Sequence, residues 1–337
     1  MYSMSFHCWT YNSNTLGMAK FQRNFGGGQA AQKRRANWNP KRPRPYEDSN
    51  TLEHSWMEND DLIEPSSEGE HDSGEQPTSP EIYIEIAREG IEEMGRPTAS
   101  LFWSAVAAGL LVSFSLVVKA VLHADVGGMA MGHAIESFGY TIGFILVIFC
   151  RLQLFTENTI TPVLPAIAVP SAQNSMNLGR VWTISLTANF IGTAAMAWLF
   201  WATPVVTPAT LDAMMAISEK VAGLSFMESM LKGMPSGLLI AALVWMRPSA
   251  GNNFLWLVFL MTYVIAVGDF THVVVGSCEI FLLAWSGQYA LGPMLAGNIF
   301  PTLLGNVIGG TALFALLAWG QVRDELKDTV MRLRPTE

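Results

Sequence analysis

The segment Phe254–Trp285 reads FLWLVFLMTYVIAVGDFTHVVVGSCEIFLLAW, and its reading decides the fold. It is longer than the roughly 20 apolar residues that cross a bilayer, yet its middle is Gly268-Asp269-Phe270-Thr271-His272. An ionisable side chain at bilayer depth costs about 2.5–3.5 kcal/mol on insertion scales, so such groups face a bundle interior or a wet pathway. Asp269 and His272 stand about one helical turn apart, and Gly268 and Gly276 flank them with the least helix-favouring residue after proline. The helix is therefore expected to break here, where only protein or water can satisfy its freed backbone groups. His272 then has two readings: a functional group in a polar pathway, or a core histidine bonded to a neighbouring helix with Asp269 as its partner.

Composition agrees with a polytopic membrane protein. Half of the 337 residues are hydrophobic and 14% are charged, against roughly 25% charged in soluble domains. Cys8, Cys150 and Cys278 have no CxxC spacing and imply neither a disulfide framework nor a zinc or redox site. No cofactor is expected. The net charge of −8 carries little weight, because eleven acidic residues precede Glu81.

Residues 1–80 lack apolar periodicity and divide into a basic block, Lys33 to Arg44, and an acidic one, so they are expected to be a disordered tail. The basic block has the chemistry to meet anionic lipid, or nucleic acid, but reads first as a solvated tail, and no nucleic-acid partner is expected. No apolar run followed by a small-residue cleavage site is found, so no cleaved signal peptide is expected. Residues 81–96, with Ile82, Ile84, Ile86 and Ile91 among glutamates, predict an amphipathic helix at the membrane surface.

Residues 97–322 are read as the transmembrane unit and 323–337 as a cytoplasmic tail. Six spans are predicted: about Leu101–Leu122, Ile135–Phe149, Val181–Thr203, Ser225–Met246, Phe254–Trp285 and Phe300–Gln321. Arg88, Arg96, Arg180, Arg247, Arg323, Lys327, Arg332 and Arg334 all fall on the side of the termini, and the other side holds chiefly Lys119, Lys220 and Lys232. The positive-inside rule then makes both termini cytoplasmic in a multi-pass protein of the inner membrane. Small-residue runs such as Ala105–Gly109 and Gly305–Gly310 permit close helix approach in lipid.

The second span is interrupted as the fifth is. After Cys150 comes Arg151-Leu-Gln-Leu-Phe-Thr-Glu-Asn-Thr-Ile-Thr-Pro162, and Pro162 and Pro165 stop a simple continuation. Each set of three spans thus carries a broken middle helix. Odd numbers orient the halves oppositely, the pattern of an inverted repeat whose broken helices meet near the midplane. The alternative for 154–162 is a re-entrant structural loop without chemistry.

These residues resemble a known family. Leu154-Phe155-Thr156, Phe270-Thr271-His272, Pro301-Thr-Leu-Leu-Gly-Asn306-Val-Ile-Gly-Gly310 and Leu243-Val-Trp-Met246 are similar to helix motifs of the formate/nitrite transporter family, over about Leu101 to Val322. The resemblance implies an all-α, aquaporin-like protomer in a homopentamer, with one pore per protomer for small monovalent anions. It implies His272 as the central pore histidine, Thr156 as its loop partner, Leu154, Ile265 and Phe144 as apolar constrictions, Phe155 in the loop and Asn306 on the sixth helix.

The chain also departs from the family pattern. Gly237 and Gly276 stand where relatives commonly carry pore asparagines, and Gln153 where an acid is common, while Glu157 and Asp269 add negative charge. Lys232 either draws anions to the vestibule or pairs with Glu228 one turn earlier.

An anion pays a large desolvation penalty in an apolar constriction, and the protonated weak acid pays far less. A histidine between constrictions can supply the proton, since its ordinary pKa is near 6.5. The expected function is a channel or transporter for small monovalent weak-acid anions. A neutral-solute channel and a non-transporting membrane scaffold are the alternatives. An intramembrane enzyme is disfavoured, because Asp269, His272 and Glu279 form no HExxH-type helix.

Overall fold

In the computed structural model residues 76–332 are described, with side chains to 326. The expected disordered tail lies outside the described residues except at its last positions, as does Arg334.

The first described helix, α1 (Ser79–Gly95), starts two residues before the predicted boundary. Thr78 and Glu81 form a capping box, with Thr78 N–H donating to Glu81 Oε2 at 2.7 Å. Its buried face is Ile82, Tyr83, Ile86, Ala87, Gly90 and Met94. Ile84 faces outward, so period 3.6 governs the helix and the alternating isoleucines do not. This apolar face packs on the protein's own helices, and Tyr83 Oη donates to Leu164 O at 3.0 Å.

The first apolar run is α2 (Thr98–Val112) and α3 (Phe114–Val126), joined at Ser113, whose hydroxyl donates back to Gly109 O. Then come α4 (Gly132–Phe149), a 3-10 turn at Glu157–Thr159, the short α5 (Val163–Ala168) and the long α6 (Ala172–Ala202). The helix α7 (Pro208–Ala222) was not foreseen. It is opened by the Thr207 cap and Pro208, and packs on α3 and on the second half-helix of the fifth segment.

Helices α8 (Phe226–Ala250) and α9 (Phe254–Val267) are separated by Gly251, whose φ of +47° suits glycine. After a break at Gly268–His272 comes α10 (Val273–Trp285). Gly276 lies inside α10, so of the two flanking glycines only Gly268 marks the break. The last segment begins at Leu291, earlier than predicted. It runs through α11 (Leu291–Met294), α12 (Phe300–Val307) and α13 (Leu316–Arg332), linked by π-helical stretches at Leu295–Ile299 and Ile308–Ala315. Helix α13 therefore continues into the predicted C-terminal tail.

Among the described residues five helical runs are long and apolar enough to cross a bilayer, and α10, of 13 residues, is a shorter apolar helix. The two breaks are built alike. In the first, Cys150 N donates to Leu146 O at 3.1 Å, Arg151 N to Ile148 O at 3.1 Å and Leu152 N to Val147 O at 3.1 Å. In the second, Gly268 N donates to Val264 O at 3.0 Å, Asp269 N to Ala266 O at 3.2 Å and Phe270 N to Ile265 O at 3.0 Å. Helix α2 packs along α6 as α8 packs along α12.

Candidate functional site

Backbone groups released at the two breaks must be satisfied inside the protein, and one buried asparagine serves each. Asn189 Oδ1, on α6, accepts from Phe155 N–H at 2.9 Å, while Nδ2 donates to Ala105 O and Gln153 O at 2.8 and 2.9 Å. Asn306 Oδ1, on α12, accepts from Val273 N–H at 2.9 Å, and Nδ2 donates to Gly233 O and Thr271 O at 2.9 and 3.0 Å. Both amide hydrogens of Asn306 are thereby occupied, which makes it a clamp on the break. Sequence reasoning missed Asn189. Its signal was available, as an amide alone in an apolar span.

The clamps bring the breaks together. Thr156 Oγ1 and His272 Nε2 are 2.8 Å apart, and both residues are buried. His272 is also the N-cap of α10, its Nδ1 accepting from Val275 N–H at 3.3 Å. A ring nitrogen that accepts carries no hydrogen, so the ring is the neutral tautomer with its hydrogen on Nε2, donated to Thr156 Oγ1. The Phe144 ring meets the imidazole edge to face, with centroids 4.9 Å apart. Phe144, Ile265 and Leu154 are all buried in one apolar cluster. Phe155 is buried there too, its ring 5.9 Å from that of Trp182.

On one side of His272 opens a recess of about 170 Å³. Lys119, Lys220 and Lys232 line it opposite Glu136, Asp269 and Glu279, with Ile265, Gly276, Asn298 and Thr302 among the rest of the wall. Asp269 is not the partner of His272: it is 61% exposed and its Oδ1 lies 3.7 Å from His133 Nε2. His133 also contacts Glu136 at 3.3 Å, and His123 Nδ1 lies 2.5 Å from the other Glu136 oxygen. Lys232 forms no ion pair with Glu228, which instead closes a capping box with Ser225. Lys232 faces the recess.

The other side is narrower. A slot there is lined by Ile148, Glu157, Leu243, Val244, Arg247 and Phe254. Glu157 Oε1 is buried without a hydrogen-bond partner, and Arg247 is paired with Glu89 of α1. Glu93, also on α1, accepts from Gln153 Nε2 at 3.1 Å, and Gln153 Oε1 accepts from Asn158 Nδ2 at 3.1 Å. Gln153 thus links the surface helix to the first break, a job its carbonyl and amide can do together.

The two glycines noted as lost asparagines are unlike each other. A side chain on Gly237 would run into the Asn306 carbonyl, so this position is a helix crossing with no room to donate into a pore. A methyl on Gly276 would meet only Glu279 Oε2, at 3.8 Å. Only Gly276 borders the recess. Among the described residues no group of three or more His, Cys, Asp or Glu is arranged to hold a metal ion.

The description "formate/nitrite transporter" belongs to the family model that matches residues 80–320. The chain belongs to that family. It is 37% identical over 286 residues to "Inner membrane protein YfdC" of Escherichia coli strain K12, covering 81% of this chain and 92% of that one. It is 22% identical over 272 residues to "Formate channel FocA" of the same strain, covering 71% and 93%. A solved structure described as a pentameric formate channel with formate bound superposes with a TM-score of 0.58 at 20% identity, covering 67% of this chain and 97% of that one. A second, an FNT family ion channel, gives 0.61 at 18% identity, covering 72% and 98%. These superpositions establish the shared fold, and the family establishes a helical membrane transporter.

Proposed function

We propose that this chain is a channel for small monovalent weak-acid anions of the formate or nitrite kind, crossing at the point where Thr156 meets His272. The observation that carries the reading is the buried 2.8 Å contact between those residues, with the Phe144 ring against the imidazole and His272 in the wall of the recess. Phe144, Ile265 and Leu154 exclude a bare charge, because desolvating an anion there is costly. Lys232 and Lys119 draw it into the vestibule. The Nε2 hydrogen of His272 is the one an arriving anion meets, and full transfer of it requires Nδ1 to take up a proton and release Val275 N–H. Asp269 and Glu157 oppose a second negative charge on either side of the waist.

The same proposal covers the assembly. The matching hydrogen-bond ladders of the two breaks and the paired asparagine clamps support six spans arranged as an inverted 3+3 repeat, with α9 and α10 as the halves of one broken span. The description of the pentameric formate channel supports a homopentamer, the Thr156–His272 contact within one chain supports a pore in each protomer, and the name of the 37% relative supports the inner membrane. Arginine placement supports cytoplasmic termini. Residues 97–322 are the transport unit, 81–96 its surface helix, 323–337 the tail that leaves it, and 1–80 dispensable for flux.

Charge in the vestibule favours a second reading. Three lysines face three acids there, so no net positive field selects anions, as a channel for neutral solutes would have it. Stopped-flow uptake by proteoliposomes separates the two: formate or nitrite flux above protein-free vesicles supports the first, and flux of urea or glycerol alone supports the second.

A further inference from the structure

The vestibule holds three acidic side chains, and the structure treats one of them differently. Glu136 is held by His123 and His133, and Asp269 by His133. Glu279 is buried, with 7% of its surface exposed, and makes no hydrogen bond or ion pair with a described residue. Its position in sequence explains where it points. His272, Gly276 and Glu279 recur at spacings of four and three, which is one face of a helix, and all three line the recess. Because Gly276 has no side chain, the space beside Glu279 Oε2 is open along the face that leads to His272.

We propose that Glu279 is the proton-loading residue of the vestibule: its carboxylic acid gives its proton to the incoming weak-acid anion, which then passes His272 as the neutral acid. This rests on the weak-acid reading above and adds where the proton comes from. In the step, the O–H bond of Glu279 breaks and an O–H bond forms on the anion. The carboxylate left behind regains a proton from hydronium in the vestibule, releasing water. No other reactant is needed. Two negative charges confined side by side in the recess repel, and one proton shared between them removes the conflict. The groups facing Glu279 are Lys119 of α3, Glu136 and Tyr140 of α4, Lys220 of α7, Lys232 of α8, and Asp269 and His272 at the break. Of these, Lys119 shares the recess with Glu279 without an ion pair within 4.0 Å, its ammonium lying 6.0 Å from the Tyr140 ring centre. It can therefore tune the proton on Glu279 without locking it away as a fixed ion pair would.

The test is formate uptake by proteoliposomes from pH 5 to 8, with urea flux as the neutral control, for the full chain and two variants. Glu279→Gln is expected to lower protein-dependent formate flux at least tenfold near pH 7 and flatten its pH dependence, leaving urea permeability and oligomeric state unchanged. Lys119→Met removes a cation from the wall of the recess, so the midpoint of the pH profile is expected to move to higher pH. This second variant carries the test if Glu279→Gln fails to assemble. Absence of formate flux in the unmodified protein overturns the weak-acid reading. Formate flux that keeps its rate and pH profile in Glu279→Gln, or a midpoint unmoved in Lys119→Met, overturns the proton-loading role alone.

Discussion

Arg151 and Asp269 occupy the same step of the two helix breaks, and both hold a positive φ, 51° and 50°. The same spacing separates Leu152 from Phe270 and Val147 from Ile265, the donors and acceptors of the bond that closes each break. A left-handed residue turns the chain sharply after a helix, and here it sends Thr156 from one side and His272 from the other to a shared point. The left-handed region costs a side chain with a Cβ roughly 1–2 kcal/mol.

Relief or aggravation of that cost is measurable. Arg151→Gly is expected to raise stability by about 1 kcal/mol, and Arg151→Val to lower it by a similar amount or more, because a β-branched residue suits this region least. Thermal unfolding in detergent checks the order Gly above Arg above Val. Equal melting temperatures would contradict it.

Asn189→Ala and Asn306→Ala each leave one N–H and one non-helical carbonyl, of Gln153 or Thr271, without that partner, and remove a further bond to a carbonyl inside a helix. The expected loss is on the order of 2–5 kcal/mol for either. Asn→Asp is expected to hurt nearly as much, since it removes the two donors and keeps the acceptor. Should unfolding temperatures of the Ala variants match that of the parent, the clamps do not hold the breaks.

Gly237 and Gly276 predict opposite outcomes for the same change. Gly237→Asn forces a side chain against the Asn306 carbonyl and is expected to lose about 1–3 kcal/mol or fail to assemble. Gly276→Asn projects into the recess and is expected to fold as the parent does. Size-exclusion profiles and melting curves of the pair decide the matter, and equal damage at both positions would refute the assignment of Gly276 to the recess.

Docking of α1 should respond to pH. Burial, opposed by the Gln153 hydrogen bond, raises the Glu93 carboxyl from 4.5 to about 7. An acid whose docked pKa is raised binds more protons docked than released, so docking is strongest below about 4.5 and weakens as pH rises through the window from there to about 7. Hydrogen exchange across residues 79–95, corrected for its intrinsic pH dependence, is expected to show protection falling over that window. Glu93→Gln is expected to remove the fall while α1 remains docked, and an unchanged fall in this variant would assign it to another group.

Much of this site was legible in the sequence, because polar residues inside an apolar span have few innocent explanations. Asp269 and His272 announced the second break, and the run from Arg151 to Pro162 the first. The partner of Asp269 was not legible, since His133 lies far away in the chain and only folding brings it near. Spacing suggested that Asp269 and His272 share a helical turn, but both lie in the non-helical break, α9 ending at Val267 and α10 starting at Val273. Helix α7 was missed because it is less apolar than the spans on either side, with Asp212, Glu219 and Lys220 in its run. Asn189 was missed because a single amide gives no periodic signal, although Asn306 was read from its motif. Lys232 and Glu228 show the limit of spacing rules: the i,i+4 geometry is present, yet the carboxylate goes to the Ser225 cap, whose backbone N–H needs an acceptor.

The most direct test of the central claim, that solute crosses at the Thr156–His272 contact, is stopped-flow formate uptake by proteoliposomes holding the parent protein, His272→Phe or His272→Asn. Asparagine can still cap α10 and donate toward Thr156, whereas phenylalanine can do neither. With oligomeric state and melting temperature verified, the account predicts a fall of at least tenfold in protein-dependent flux for His272→Phe and a smaller loss for His272→Asn. Flux in His272→Phe equal to that of the parent would contradict it.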